Sequence, residues 1–272
     1  MWHSGELSLA YLTVDGASPL EHIEAAAAAG FPAAGLRILP PVHLSRAGCV
    51  VGNPDLIRSV RTTCRQRGIR LHDAEVASHT ASITADDIEA IVAAAAELQF
   101  RFVQTVIDDE DMSRAAANLA QLAEAAGRCG VGVALEFMAF RPLQNLESAL
   151  SLIDRCGADN VGVLIDALHL ARSGGSPETV AVIPAGRIAM AQLCDAPLAS
   201  PAFDDLAAEA RNERLYPGEG QLWLNELLDV LPDGLPISIE VPHSRFDSVA
   251  FVARAMNSKS ALDGFLDARL RR

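Results

Sequence analysis

Val131–Phe137 reads VGVALEF, and further along Val161–His169 reads VGVLIDALH. Each is a short, unbroken run of aliphatic residues that ends on a carboxylate, Glu136 or Asp166. Such a run marks a strand covered on both faces, as in a parallel sheet. The pattern returns in IAMAQLCD (Ile188–Asp195), where Gln192 takes the acid's place, and in PISIEVP (Pro236–Pro242), with Glu240. Working outward, alanine- and leucine-rich helical stretches separate strand-like runs along the whole chain. The first strand is read over Leu7–Val14, followed by a helix that Pro19 opens and Gly30 closes, the usual cap asymmetry. Then come Gly35–Ile38 and the helix Pro54–Gly68, Ile69–Ala77 and the helix Asp86–Gln99, and Phe102–Ile107 with the helix Met112–Gly130. Val131–Met138 leads to a helix capped by Asn145 and ended by Gly157. Val161–Ile165 is followed by a weaker helix near Pro177–Ile183. Ile188–Cys194 precedes a long insert, Asp195–Gln221, and the helix Leu222–Leu231. Pro236–Val241 is the last strand before a final helix. Eight strands and eight helices in 272 residues predict one α/β domain over residues 1–272, a closed (β/α)8 TIM barrel. An open doubly wound sheet would need a glycine-rich turn after its first strand, and that strand runs into VDGASP.

Composition sharpens the reading. Hydrophobic residues make up 50% and charged residues 21%, and the net charge of −13 would repel a phosphate backbone. Nucleic acid is therefore not expected as a partner. The chain holds one lysine, Lys259, which leaves little room for Schiff-base chemistry. Five cysteines without a CxxC read as free thiols in a reducing compartment. No run approaches the roughly 20 apolar residues of a membrane span, and MWHSGELS lacks the features of a signal peptide. A cytoplasmic protein is expected.

In a TIM barrel the reactive groups stand at the C-terminal ends of the strands. There, Glu136, Asp166, Gln192 and Glu240 bring one oxygen donor each from four consecutive strands. Buried carboxylates are costly unless paired or bound to a cation. Any one of them could pair with an arginine at the mouth, but four in register point to a divalent metal. Oxygen donors favour Mn²⁺ or Mg²⁺ over zinc, with Co²⁺ admissible. Cys194 reads as a packed thiol. His169, three residues after Asp166, has an ordinary pKa near 6.5 that suits proton transfer. The other histidines have no specific partner in sequence: His3, His22, His43 (a lid candidate), His72, His79 and His243. In the insert, Arg211 and Arg214 could clamp an anion, or simply pair with Glu209 and Glu213. Pro217, Gly218 and Gly220 form a turn expected to hold Glu219 near the rim. Arg37 and Glu75, at the ends of strands two and three, complete the ring of substrate-binding candidates.

The ordered set LEF, LIDALH, Gln192, PGEG and ISIEVP resembles the sugar phosphate isomerase/epimerase superfamily of xylose-isomerase-like barrels, over essentially the whole chain. Within it, Gln192 with His169, Arg211 and PGEG looks most like the 3-dehydroshikimate dehydratases. The resemblance implies one divalent metal on Glu136, Asp166, Gln192 and Glu240, a proton-handling His169 and an Arg211 that holds a substrate carboxylate. Most members have histidine where this chain has Gln192, which argues against the endonuclease branch with its several histidines and zinc. Ala207 stands where the dehydratases would have serine. The expected activity is metal-dependent dehydration of a polyhydroxylated cyclic keto acid such as 3-dehydroshikimate. His169, or a ligand carboxylate such as Glu136 or Glu240, would remove the proton α to the carbonyl. Two alternatives stay open: a sugar or sugar-phosphate isomerase/epimerase on the same metal site, and a barrel that binds a ligand without turnover. The partner is a small molecule, and assembly into a homo-oligomer is left open.

Overall fold

The computed structural model describes residues 5–40 and 49–271. Eight parallel strands close into a barrel in sequence order. They are β1 (Leu7–Leu9), β2 (Ala33–Arg37), β3 (Arg70–His79), β4 (Phe102–Ile107), β5 (Gly132–Glu136), β6 (Val161–Asp166), β7 (Ile188–Leu193) and β8 (Ile237–Ile239). The outer helices are α1 (Pro19–Ala28), α2 (Pro54–Arg67), α3 (Ala85–Glu97), α4 (Met112–Arg128), α5 (Leu146–Cys156), α7 (Pro177–Ala181), α9 (Leu224–Val230) and α10 (Phe251–Leu270). Two short helices come in addition to the expected eight: α6 (Ala167–Arg172), and α8 (Leu206–Asn212) inside the long insert. Among the described residues, no helix is long and apolar enough to cross a membrane.

Local chemistry sets the helix starts. Ser18 caps α1 in a reciprocal box with Glu21 and Pro19 follows it; Asn145 caps α5, and Gly157 closes that helix in the left-handed region. The first strand is shorter than expected: Tyr11–Val14 is a 3-10 turn. There the Thr13 hydroxyl donates to the Ile239 carbonyl at 2.9 Å, so these residues roof the end of β8 instead of extending β1.

The inward face of the second half explains the site. Side chains alternate along a strand, so Ala134, Leu164 and Met190 point into the barrel two residues before Glu136, Asp166 and Gln192. Those three apolar residues pack as a buried cluster with Phe102 and Ala189 alongside. An apolar plug thus lies directly beneath the acidic layer and keeps water from reaching it from below.

Candidate active site

A cavity of about 920 Å³ opens at the C-terminal end of the barrel. Its walls include Glu136, His169, Arg211 and Glu240 on one side and Arg37, Glu75 and Gln104 on the other, with Tyr11, Phe140, Arg141 and Arg214. Asp166 and Gln192 lie just beneath it, both fully buried. Glu136, Asp166 and His169 come together, and Gln192 meets Glu240, which Arg214 links to Asp166. Ligand atoms of Glu136, Asp166 and His169 fall within 4.8 Å of one another.

The DxxH spacing of Asp166 and His169 has a local cause. Asp166 ends β6 and caps α6, its Oδ1 accepting the His169 backbone N–H at 2.8 Å. That one-turn helix folds His169 back over the floor, where its Nε2 stands 3.8 Å from Glu136 Oε1. Burial lowers the His169 pKa to about 4, with Asp166 opposing and nearby arginines reinforcing the shift. This corrects the sequence expectation of a value near 6.5: the ring is held neutral at physiological pH.

Arg214 is the group that sequence reasoning placed wrongly. It pairs with neither Glu209 nor Glu213; Glu209 is taken by Arg172 at 2.7 Å. Arg214 instead dives into the floor at 1% exposure. Its Nη1 donates to Asp166 Oδ2 at 2.6 Å and lies 3.4 Å from Cys194 Sγ, while its Nη2 is 3.1 Å from Glu240 Oε2 and 3.4 Å from His169 Nε2. Burial pushes the Cys194 thiol up to about 12, in keeping with a packed thiol.

One guanidinium does not balance three carboxylates. Burial raises Glu136 to about 8, with Glu240 and Asp166 adding to the rise. Burial likewise lifts Glu240 to about 7 against the pull of Arg214. Asp166 alone stays below its ordinary value: burial opposes this, but Arg214 and His169 outweigh it. The Gln192 amide donates to Glu240 Oε1 at 3.4 Å, and Gln192 Oε1 is buried with no hydrogen-bond partner. An orphaned amide oxygen beside carboxylates that lack counter-charge is a donor set that fits a divalent cation.

Residues 23–267 match the model of the xylose isomerase-like TIM barrel family. The chain belongs to this family. Two curated 3-dehydroshikimate dehydratases are similar to it. The protein of Pseudomonas aeruginosa (strain PAO1) is 31% identical over 151 residues, 54% of this chain and 23% of that protein. The protein of Pseudomonas putida (strain KT2440) is 26% identical over 256 residues, 88% of this chain and 38% of that protein. The chain therefore spans well under half the length of these relatives. Among solved structures, the IOLI protein with a binding zinc atom superposes with a TM-score of 0.79 at 14% identity, covering 97% of this chain and 99% of that one.

Within this xylose isomerase-like barrel, the remaining candidates distribute unevenly. Arg211, on α8, is exposed at the mouth, its guanidinium 5.8 Å from the Phe140 ring centre. Arg37 and Glu75 reach the cavity from the opposite wall, 4.0 Å apart. Glu75 lies in the middle of the long β3 rather than at its end, and its Oε1 accepts the Tyr11 backbone N–H at 3.0 Å. Glu219 turns outward and pairs with Arg245 at 2.7 Å. The PGEG turn is held from inside by Asp195 instead, which accepts from the backbone N–H groups of Gly218 and Leu222, each at 2.9 Å. A Cβ at residue 220 would overlap that carboxylate, so the glycine there is a packing requirement. His79 is buried off the cavity, His72 pairs with Asp73 at 2.7 Å, and His3 and His43 lie outside the described residues.

Gln104, Arg141 and Tyr11 are among the cavity residues not singled out from sequence. Gln104 is 3% exposed, and its Nε2 donates to Glu136 Oε2 at 2.9 Å while its own Oε1 has no partner. The signal was available: a polar side chain in the middle of FVQTVI. Arg141, paired with Asp108, and Tyr11, beneath Arg37 at 4.9 Å, sit in segments whose position depends on the fold.

Proposed function

We propose that the chain is a divalent-metal-dependent lyase that dehydrates a small cyclic keto acid of the 3-dehydroshikimate type. The observation that supports this reading is that Glu136 and Asp166 approach within metal range beside His169, with buried Gln192 and Glu240 on the next two strands and too little positive charge among them. These four would hold the ion, and their oxygen chemistry favours Mn²⁺ or Mg²⁺, with Co²⁺ as an alternative. When bound, the ion supplies Lewis acidity toward a substrate carbonyl and a neighbouring hydroxyl. The chain's own groups account for the rest. His169, neutral and aimed at the floor, accepts the proton α to the carbonyl and can return one to the departing hydroxyl. Arg211 at the mouth meets the substrate carboxylate, Arg37 and Glu75 contact hydroxyls from the far wall, and the apolar plug keeps the floor dry. Support also comes from the similarity to the two Pseudomonas dehydratases.

A second reading is an isomerase or epimerase. It is favoured by Glu136 and Glu240, two proton-avid carboxylates facing one cavity, as removal and return of a proton at one carbon require.

Substrate charge separates the two. With a carboxylated substrate, Arg211→Ala leaves an anion unpaired and should lower kcat/KM by roughly 10²-fold, and Arg211→Lys should rescue only in part, since it lacks the bidentate fork. With a neutral ketose or inosose the same change should cost about 1 kcal/mol or less. Turnover of a neutral ketose that ignores Arg211, with none of 3-dehydroshikimate, would leave the isomerase reading standing.

A further inference from the structure

The inference concerns Arg214 and rests on the metal-site reading above. Every acid of the floor has one oxygen committed to the protein. Asp166 Oδ1 takes the His169 N–H at 2.8 Å, Glu136 Oε2 takes the Gln104 amide at 2.9 Å, and Glu240 Oε1 takes the Gln192 amide at 3.4 Å. The oxygens left over on Asp166 and Glu240 are Oδ2 and Oε2, and Arg214 holds both, at 2.6 and 3.1 Å. Moreover, Arg214 lines the cavity, whereas Asp166 and Gln192 do not. The guanidinium therefore stands on the cavity side of Asp166 and beside Glu240, which itself faces the cavity. A metal entering from the mouth must meet the oxygens that Arg214 already occupies.

Arg214 is equipped to stand there without metal and to leave when metal comes. Its Nε donates to the Ala210 carbonyl at 2.8 Å, one turn back on α8, and the next segment carries the PGEG turn. Thus the side chain is anchored at its root by the insert and reaches the floor only with its fork. Two like-charged groups cannot share the same pair of carboxylate oxygens at low cost in a buried site.

We propose that Arg214 is a resident counter-ion: it neutralises Asp166 and Glu240 in the metal-free protein and is exchanged for the divalent ion, which frees its guanidinium for the cavity. It is a positioning residue in this role. The metal affinity of the wild type is then reduced by the fraction of molecules with Arg214 seated, as for any site that must first open.

The test uses Arg214→Gln, which keeps hydrogen-bonding capacity and removes the charge, beside the wild type and Arg214→Lys. Thermal unfolding is followed in chelator-stripped protein and again with saturating Mn²⁺, and Mn²⁺ affinity is measured by calorimetry. Without metal, Arg214→Gln should melt roughly 6–12 °C below wild type, the loss expected when a buried ion pair loses one partner. With Mn²⁺ the deficit should close, and the variant should bind Mn²⁺ at least about tenfold more tightly. Arg214→Lys should fall between the two. A deficit that persists unchanged with Mn²⁺ bound, or a weaker Mn²⁺ affinity in Arg214→Gln, would show a purely structural arginine and overturn the proposal. If the variant does not fold, crystals of the wild type with and without Mn²⁺ decide: Arg214 Nη1 should leave Asp166 Oδ2 on loading, and an unmoved ion pair beside bound Mn²⁺ contradicts the exchange. Wild-type protein that binds no Mn²⁺ at all contradicts the metal-site reading itself, a separate failure.

Discussion

Strands β2 to β4 and strands β5 to β8 face the same cavity, yet they handle buried charge differently. On the first side each acid has its own partner: Asp73 the His72 ring at 2.7 Å, Glu75 the Tyr11 N–H at 3.0 Å and Arg37 at 4.0 Å. On the second side the single guanidinium of Arg214 pairs with Asp166 and Glu240, Glu136 meets only the Gln104 amide and the His169 ring, and Gln192 leaves an oxygen without a partner. Each half sets one guanidinium against its buried acids, Arg37 on the first side and Arg214 on the second. The difference lies in the number of acids: Asp73 and Glu75 on the first side, Glu136, Asp166 and Glu240 on the second. The side with the larger excess of carboxylate is the one suited to a cation.

The largest effect should come from exchanging one acid on each side for its amide. Glu240→Gln removes a charge from the deficient wall and should abolish metal binding and lower kcat/KM by roughly 10³-fold or more. Glu75→Gln should leave metal content intact, because burial and the neighbouring Asp73 and Glu240 already push the Glu75 carboxyl far up toward its neutral form. Metal analysis of the two purified variants checks both. Equal metal loss in the two would erase the distinction between the walls.

Gln104 links the halves, since it stands on β4 and donates across to Glu136. Gln104→Leu should weaken metal affinity about 10- to 100-fold, the usual consequence of losing a partner that orients a ligand, while leaving the fold intact. Calorimetric titration with Mn²⁺ measures it, and unchanged affinity would mean that Glu136 needs no support from β4.

How much of this could be read from the chain follows the same division. Glu136, Asp166, Gln192 and Glu240 were legible because each ends an apolar run, so strand periodicity alone fixes both its height and its direction. Arg214 was visible as a residue but not as a member of the floor. Its place depends on α8 and the PGEG turn, which lie in an insert without periodicity, and Glu209 and Glu213 offered nearer partners in sequence. Glu219 was misplaced for the same reason: the turn was recognised, but the carboxylate that fills it, Asp195, comes from the far end of the insert. Tyr11 was hidden by reading Leu7–Val14 as continuous strand. The burial that takes His169 down to about 4 is a property of the closed cavity and leaves no mark on LIDALH.

The smallest expected effect concerns stability on the β1–β4 side. Burial holds His22 and His79 at about 4, below their ordinary 6.5. Their folded pKa is lower than the unfolded one, so the unfolded chain binds more protons between these values and stability falls as pH drops below about 6.5. One unit below that point each should cost about 1.4 kcal/mol. Urea unfolding of wild type and His79→Leu isolates one ring, since Glu136, Glu240 and His169 titrate alike in both. On going from pH 7.5 to 5.5 the change in stability should differ by about 1.4 kcal/mol, with wild type the less favoured at the lower pH. The same pH dependence in both proteins would mean that the His79 ring is charged in the fold.

The central claim, that the β5–β8 wall is built for one divalent ion that catalysis requires, is tested most directly on the unmodified protein. Chelator-stripped protein is titrated with Mn²⁺ and, at each point, its turnover of 3-dehydroshikimate is followed by the absorbance of the aromatic product. The account predicts no turnover when stripped, a rise that saturates at one Mn²⁺ per chain, and reversal on renewed chelation. Full turnover by the stripped protein, or saturation without any bound metal, would contradict it.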